Sequence, residues 1–224
     1  MKLFKNICFA IGMFILFFYS WLFQLIPILL FNLDLEKISA SLNVVLSAFG
    51  SLCLVIVLGI IYRKELIEEW RKFKKHFKKF FDIGFIHWFY GLMAMVISNT
   101  LIGILFKAGQ ANNEQAVQGM ITALPWMMLI SSGILAPIAE EIVFRKSIRK
   151  IFNKRLLYIF VSGFLFGLAH VFSSASSLTD WLFIIPYGSV GVAFAASYYD
   201  TDSIFTPIFF HMLHNIILVL TSIF

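Results

Sequence analysis

The chain has 224 residues, is 60% hydrophobic and only 13% charged, and its mean hydropathy is +0.89. These values exclude a soluble globular domain and describe an integral membrane protein, one membrane domain over residues 1–224. The net charge of +6 does not point to nucleic acid, because the basic residues gather in three clusters beside apolar runs: Lys2 and Lys5, Arg63 to Lys79, and Arg145 to Arg155.

A membrane-crossing helix needs about 20 apolar residues. Six or seven segments qualify, at about 6–31, 43–62, 83–106, 121–143, 156–173, 181–199 and 204–224. None shows the ten-residue alternation of a lipid-facing barrel, so the expected fold class is all-α, a polytopic bundle of about seven transmembrane helices. The first run opens like a signal peptide, but it is long and lacks a small-residue cleavage pattern, so it is expected to stay as an anchor. Cys8 and Cys53 sit singly in apolar stretches and read as packing residues.

Between the second and third runs lies a basic amphipathic segment, 63–80. Leu66, Trp70, Phe73, Phe77 and Phe80 recur at helical spacing with Lys and Arg opposite, as expected of one helix lying on an anionic membrane surface. His76 reads as a surface histidine and His87 as an interfacial one without a partner. Basic residues collect on the cytoplasmic side of membrane proteins. This places the N-terminus, 63–79 and 145–155 inside, and 32–42, 107–120 and 174–180 outside. The loop 200–203, "DTDS", falls inside without a basic residue to support it. The expected location is an integral protein of a bacterial cytoplasmic membrane, in contact with lipid.

Ionisable groups within spans are costly and usually functional. The fourth run ends in "APIAEEIVFRKSIRK" at 136–150. Glu141 and Arg145, four apart, share a helix face and can pair, whereas Glu140 points about 100° away and is free for a cavity. The fifth run ends in "FGLAH", with Phe166 and His170 on one face. The seventh carries "HMLHN", with His211 and Asn215 on one face and His214 within reach of it. Spacing alone does not say which of His211 and His214 faces the site. Pro186, Gly188 and Gly191 in "IPYGSVG" read as close helix packing or access to a cavity. Such a polar set supports water activation by a glutamate and a histidine, with histidine and asparagine donors for an oxyanion. Two histidines and a carboxylate could equally hold a metal with a position open for water.

These residues resemble the motifs of the CPBP family of intramembrane proteases, which includes the type II CAAX prenyl endopeptidase and the Abi or bacteriocin-immunity proteins. The motifs EExxxR, FxxxH and HxxxN read here Glu140-Glu141-x-x-x-Arg145, Phe166-x-x-x-His170 and His211-x-x-x-Asn215, in order, within a core at 120–220. The resemblance implies that Glu140 with His170 activates water, and that His211 with Asn215 stabilises the oxyanion. It favours His211 over His214. Glu141 and Arg145 would support the site, and Phe166 would shape its wall. No cofactor is required on this reading. Zn²⁺ on Glu140, His170 and His211 is the alternative. The expected substrate is a membrane-associated peptide or protein, with access mildly favoured from the cytoplasmic side. A rival within the same fold is a non-catalytic immunity or scaffold protein that captures a bacteriocin or sensor partner. A third reading is a proton or metal relay of a transporter.

Overall fold

The computed structural model describes residues 1–224 and contains helices and connecting turns only, with no strand. In chain order the helices are α1 (Lys2–Phe18), α2 (Leu25–Leu30), α3 (Ala40–Ile61), α4 (Arg63–Lys75), α5 (Phe77–Phe106), α6 (Asn112–Ala123), α7 (Pro125–Ile130), α8 (Ala136–Glu141), α9 (Arg155–Val171), α10 (Ile184–Thr201) and α11 (Phe205–Ile223). Five helical stretches are long and apolar enough to cross a membrane. A sixth is the pair Lys2–Phe18 and Ser20–Leu30, bent by 45°. The expected seventh, α9, is apolar but has only 17 residues.

Polar contacts sort the helix ends into two faces. On the basic face the Asn6 side chain donates to the Lys150 carbonyl at 2.6 Å. Arg155 clasps Asp200 at 3.0 and 2.8 Å, and Lys72 reaches Asp202 at 2.9 Å. The loop 200–203 is thus tied to the basic clusters by its own acids. On the opposite face Asn112 donates to the Ser174 carbonyl at 2.9 Å, and Ser41 to the Ala123 carbonyl at 3.1 Å.

The single amphipathic helix expected over 63–80 is two helices. α4 stops at His76, whose φ of −117° and ψ of 24° are not helical, and Phe77 and Phe80 belong to α5. The aromatic face of α4 docks on the start of α11, with Trp70 4.9 Å and Phe73 6.2 Å from Phe205 between ring centroids. His76 is exposed, as expected. His87 does have a partner, the Asp200 carboxylate at 2.9 Å.

Glycine permits a close backbone contact between α9 and α10. A Cβ at Gly167 of α9 would lie 2.6 Å from the Ile184 carbonyl oxygen and 2.9 Å from the Gly188 nitrogen. Close approach of this kind is how membrane helices gain packing energy in lipid, where there is no hydrophobic drive between them. "IPYGSVG" therefore serves helix packing.

The span Pro125–Ser147 is the irregular element. Ser131–Leu135 and Ile142–Ser147 are wide π turns on either side of α8. Pro137 has no N–H to offer the carbonyl four residues before it, at Gly133, which accounts for the first turn. Around the second, Ser162 donates to the Phe144 carbonyl at 2.6 Å and Tyr62 and Ser147 share a hydrogen bond at 2.8 Å. Polar neighbours thus satisfy backbone that the surrounding lipid could not. π turns are rare and frequently mark functional sites.

Candidate active site

Glu141 and Arg145 are fully buried. The Arg145 guanidinium donates through Nε and Nη2 to the two Glu141 carboxylate oxygens, at 2.9 and 3.1 Å. Its Nη1 reaches the Ser162 hydroxyl at 3.2 Å. The cation also lies 4.5 Å from the Phe166 ring centroid. A buried ion pair repays its desolvation only when its hydrogen-bonding groups are satisfied, and here all three guanidinium nitrogens have a partner. The sequence-predicted pair therefore exists, with Phe166 and Ser162 completing its shell.

Glu141 has a second task. Its Oε1 accepts from Nδ1 of His211 at 2.9 Å, which fixes that ring and leaves Nε2 turned toward Glu140, 3.7 Å from its Oε2. Phe194 stacks on the His211 imidazole with ring centroids 4.7 Å apart. Carboxylate, histidine and arginine thus form a rigid chain from α8 to α11.

Glu140 is placed differently. Its Oε2 is buried and receives no hydrogen bond from any protein donor. It lines a cavity of about 370 Å³ together with His170, His211, His214 and Asn215. A buried carboxylate oxygen without a donor costs free energy unless solvent or substrate supplies one, so this cavity is polar where it needs to be. The 100° offset of adjacent helical residues has the consequence expected: one acid is bound, the other faces space.

His170 is set by its own helix. Its Nδ1 lies 2.9 Å from the Phe166 carbonyl, which can only accept, so Nδ1 carries a proton and the lone pair of the neutral ring is on Nε2. The ring packs between Phe166, at 4.4 Å, and Tyr187, at 4.8 Å. Asn215 donates one N–H to the Ser132 carbonyl at 2.9 Å, inside the first π turn, and its amide has a second N–H. His214 also lines the cavity, and the Trp88 indole N–H points at its Nδ1 from 3.4 Å. Both histidines of "HMLHN" thus face the same space, and only His211 is coupled to the acids.

Glu140, His170 and His211 are the residues offered for a Zn²⁺. No three His, Cys, Asp or Glu side chains converge on a point that would hold an ion.

Sequence reasoning missed three features: the two π turns, the Ser162 cradle, and the short helix α6, which brings Asn113, Glu114, Val117 and Met120 onto the cavity wall. Pro137 was a legible signal for the first turn. α6 carried none, because 12 residues with Asn, Gln and Glu read as a loop. The cavity also runs the unexpected way. Along α11 its wall passes from buried His211 to exposed Leu218 and Ser222, away from the basic face.

A family model described as "Type II CAAX prenyl endopeptidase Rce1-like" matches residues 122–217, which include every motif residue named above. The "Putative membrane peptidase YdiL" of Bacillus subtilis (strain 168) is 31% identical over 178 residues, covering 76% of this chain and 68% of that protein. The "UPF0177 protein YajF" of Lactococcus lactis subsp. lactis (strain IL1403) is 31% identical over 103 residues, covering 42% of this chain and 48% of its own length. No solved structure matches the chain.

Proposed function

The chain belongs to the CPBP family of intramembrane proteases, and from that premise we propose that it is an endopeptidase that cuts a membrane-associated peptide with water activated by Glu140 and His170. The observation that carries this reading is the contrast between neighbours: Glu141 is saturated by Arg145 and His211, while the Glu140 oxygen is buried, unpaired and on the cavity wall. An acid kept free beside a histidine lone pair is the arrangement general-base catalysis requires.

In this mechanism a water held by Glu140 Oε2 and His170 Nε2 gives its proton to Glu140. The hydroxyl oxygen forms a bond to the scissile carbonyl carbon. The resulting oxyanion accepts from the second N–H of Asn215 and from Nε2 of His211 in its protonated form, whose other N–H stays on Glu141. Glu140 then returns the proton to the leaving amine as the C–N bond breaks. Glu141 and Arg145 position His211 without touching substrate. Phe166 walls the site against both imidazoles and the guanidinium. The reaction needs no bound metal. Activity retained after dialysis against a chelator supports this, and loss restored by Zn²⁺ refutes it.

The basic face is assigned to the cytoplasm of a bacterial membrane, by the usual bias of Lys and Arg. The test of function is a peptide comparison by mass spectrometry of membranes bearing the wild type or Glu140→Ala at matched levels. A product seen with the wild type alone is expected. Identical peptidomes, with a biological phenotype intact in the variant, would instead assign the chain to partner binding.

A further inference from the structure

The site residues above occupy only the floor of the cavity. Its mouth is formed by α6, whose first turns bring Asn113, Glu114 and Val117 to the wall, and by the exposed end of α11 at Leu218 and Ser222. Most of the wall between is apolar, from Met95, Met120, Ile121, Met128, Val190 and Val219. Glu114 is the sole charged side chain on this wall apart from Glu140 and the histidines. No salt bridge or cation reaches it, in contrast to Glu65, Glu69, Asp200 and Asp202 on the basic face, which all have Lys or Arg partners.

A carboxylate in the first turn of α6 suits the helix dipole. That explains an acid at this position, and not why it is half-buried on the wall of a cavity without a counter-charge. Burial holds its carboxyl above the usual glutamate range, against a weaker lowering by Gln118. Removing the remaining solvent by filling the cavity with a neutral ligand would raise the cost of the charge further. A ligand that brings its own cation would reverse that cost.

We propose that Glu114 is a specificity residue, which selects peptide substrates carrying a Lys, an Arg or a free amino terminus on an otherwise apolar segment and admits them from the face opposite the basic clusters. The inference rests on the endopeptidase reading and names its substrate class. The apolar wall takes the lipid-facing side chains, and Glu114 takes the cation at the mouth while the scissile bond reaches Glu140 below. The charge pattern of the chain fits this direction: the other face is crowded with Lys and Arg, which would repel the same peptide.

The test uses the full chain in nanodiscs of phosphatidylcholine, whose neutral headgroups contribute no charge preference. The probes are fluorescent, quenched apolar peptides in matched pairs, with one Lys in one member and norleucine in the other, the Lys placed at each position in turn. Binding is read by anisotropy and cleavage by dequenching. In the wild type the best-placed Lys peptide should bind and react about tenfold better than its partner, the effect of about one well-formed ion pair. In Glu114→Gln the two should converge, and in Glu114→Lys a Glu-bearing peptide should be preferred. Glu36→Gln, an exposed acid outside the cavity, should keep the wild-type preference. Equal preference in wild type and Glu114→Gln, or a preference lost equally in Glu36→Gln, overturns the assignment. A Lys preference in binding without cleavage of any peptide keeps Glu114 and removes the endopeptidase reading. Cleavage without a charge preference does the reverse.

Discussion

The two halves of the protein solve opposite problems. Toward the basic face the chain is packed tightly: Arg145, Glu141, Ser147 and Ser162 are fully buried and hydrogen-bonded, and Lys146 is held by Glu65 and Glu69. Toward the other face the helices part around a cavity of about 370 Å³ that contains an unpaired carboxylate oxygen. A buried ion pair is tolerated when its hydrogen-bonding groups are met, and the Glu141–Arg145 pair meets them through all three guanidinium nitrogens. The open half leaves donors and acceptors over, which is what a reaction needs. Rigidity on one side is the condition for reactivity on the other, because His211 belongs to both.

The widest separation between the halves is expected from Glu140→Ala. It should cut turnover by about 10³-fold or more, the scale of general-base catalysis, and leave unfolding in detergent unchanged. Equal loss of stability would show that Glu140 belongs to the packed half. Arg145→Met should act first on stability, costing about 3–5 kcal/mol by stranding a buried Glu141 charge. Its readout is the fraction folded across a denaturant series. Arg145→Lys should not rescue it, because an ammonium lacks the fork that meets both oxygens. Gly167→Ala forces a methyl against the Ile184 and Gly188 backbone and should cost about 1–3 kcal/mol. A neutral result would mean that α9 and α10 yield at this contact.

The smallest effect belongs to Glu65, at the edge of the packed half. Burial would raise its carboxyl, but the hydrogen bonds and charges of Lys150 and Lys146 outweigh it and hold the group below the usual glutamate value. A depressed folded value means that its contribution is present above the unfolded value near 4.5 and is lost as pH falls through the lower folded one. The side chain is 45% exposed, so solvent screening limits this to under about 1 kcal/mol. Glu65→Gln should flatten the acid limb of a stability profile by that amount, measured against the wild type.

What could be read from the sequence was what lies within one helix. Glu141 and Arg145 are four residues apart, so their pairing follows from helical geometry alone. The free direction of Glu140 follows equally. What could not be read depends on contacts between helices or on departures from the α period. The coupling of His211 to Glu141 joins residues 70 apart in the chain. The stripe from Leu66 to Phe80 was real, but periodicity does not register a break at His76, where the backbone turns while the spacing of aromatics continues. α6 was missed because its function lies in where it sits and not in its composition.

The two wide turns around α8 have a further meaning for how this protein can vary. Each accommodates roughly one residue more than an α turn, and one residue corresponds to about 100° of rotation. α8 is thereby a short rotor between two adjustable joints, whose azimuth is fixed separately from the helix above and the helix below. Loss of a single residue within Ser131–Leu135 would swing Pro125–Ile130 around relative to the acids while leaving Glu141 on Arg145. The shape of the outer chamber can in this way be re-indexed by chain length, with the Glu141–Arg145 pair left in place and the Asn215 anchor on Ser132 moved.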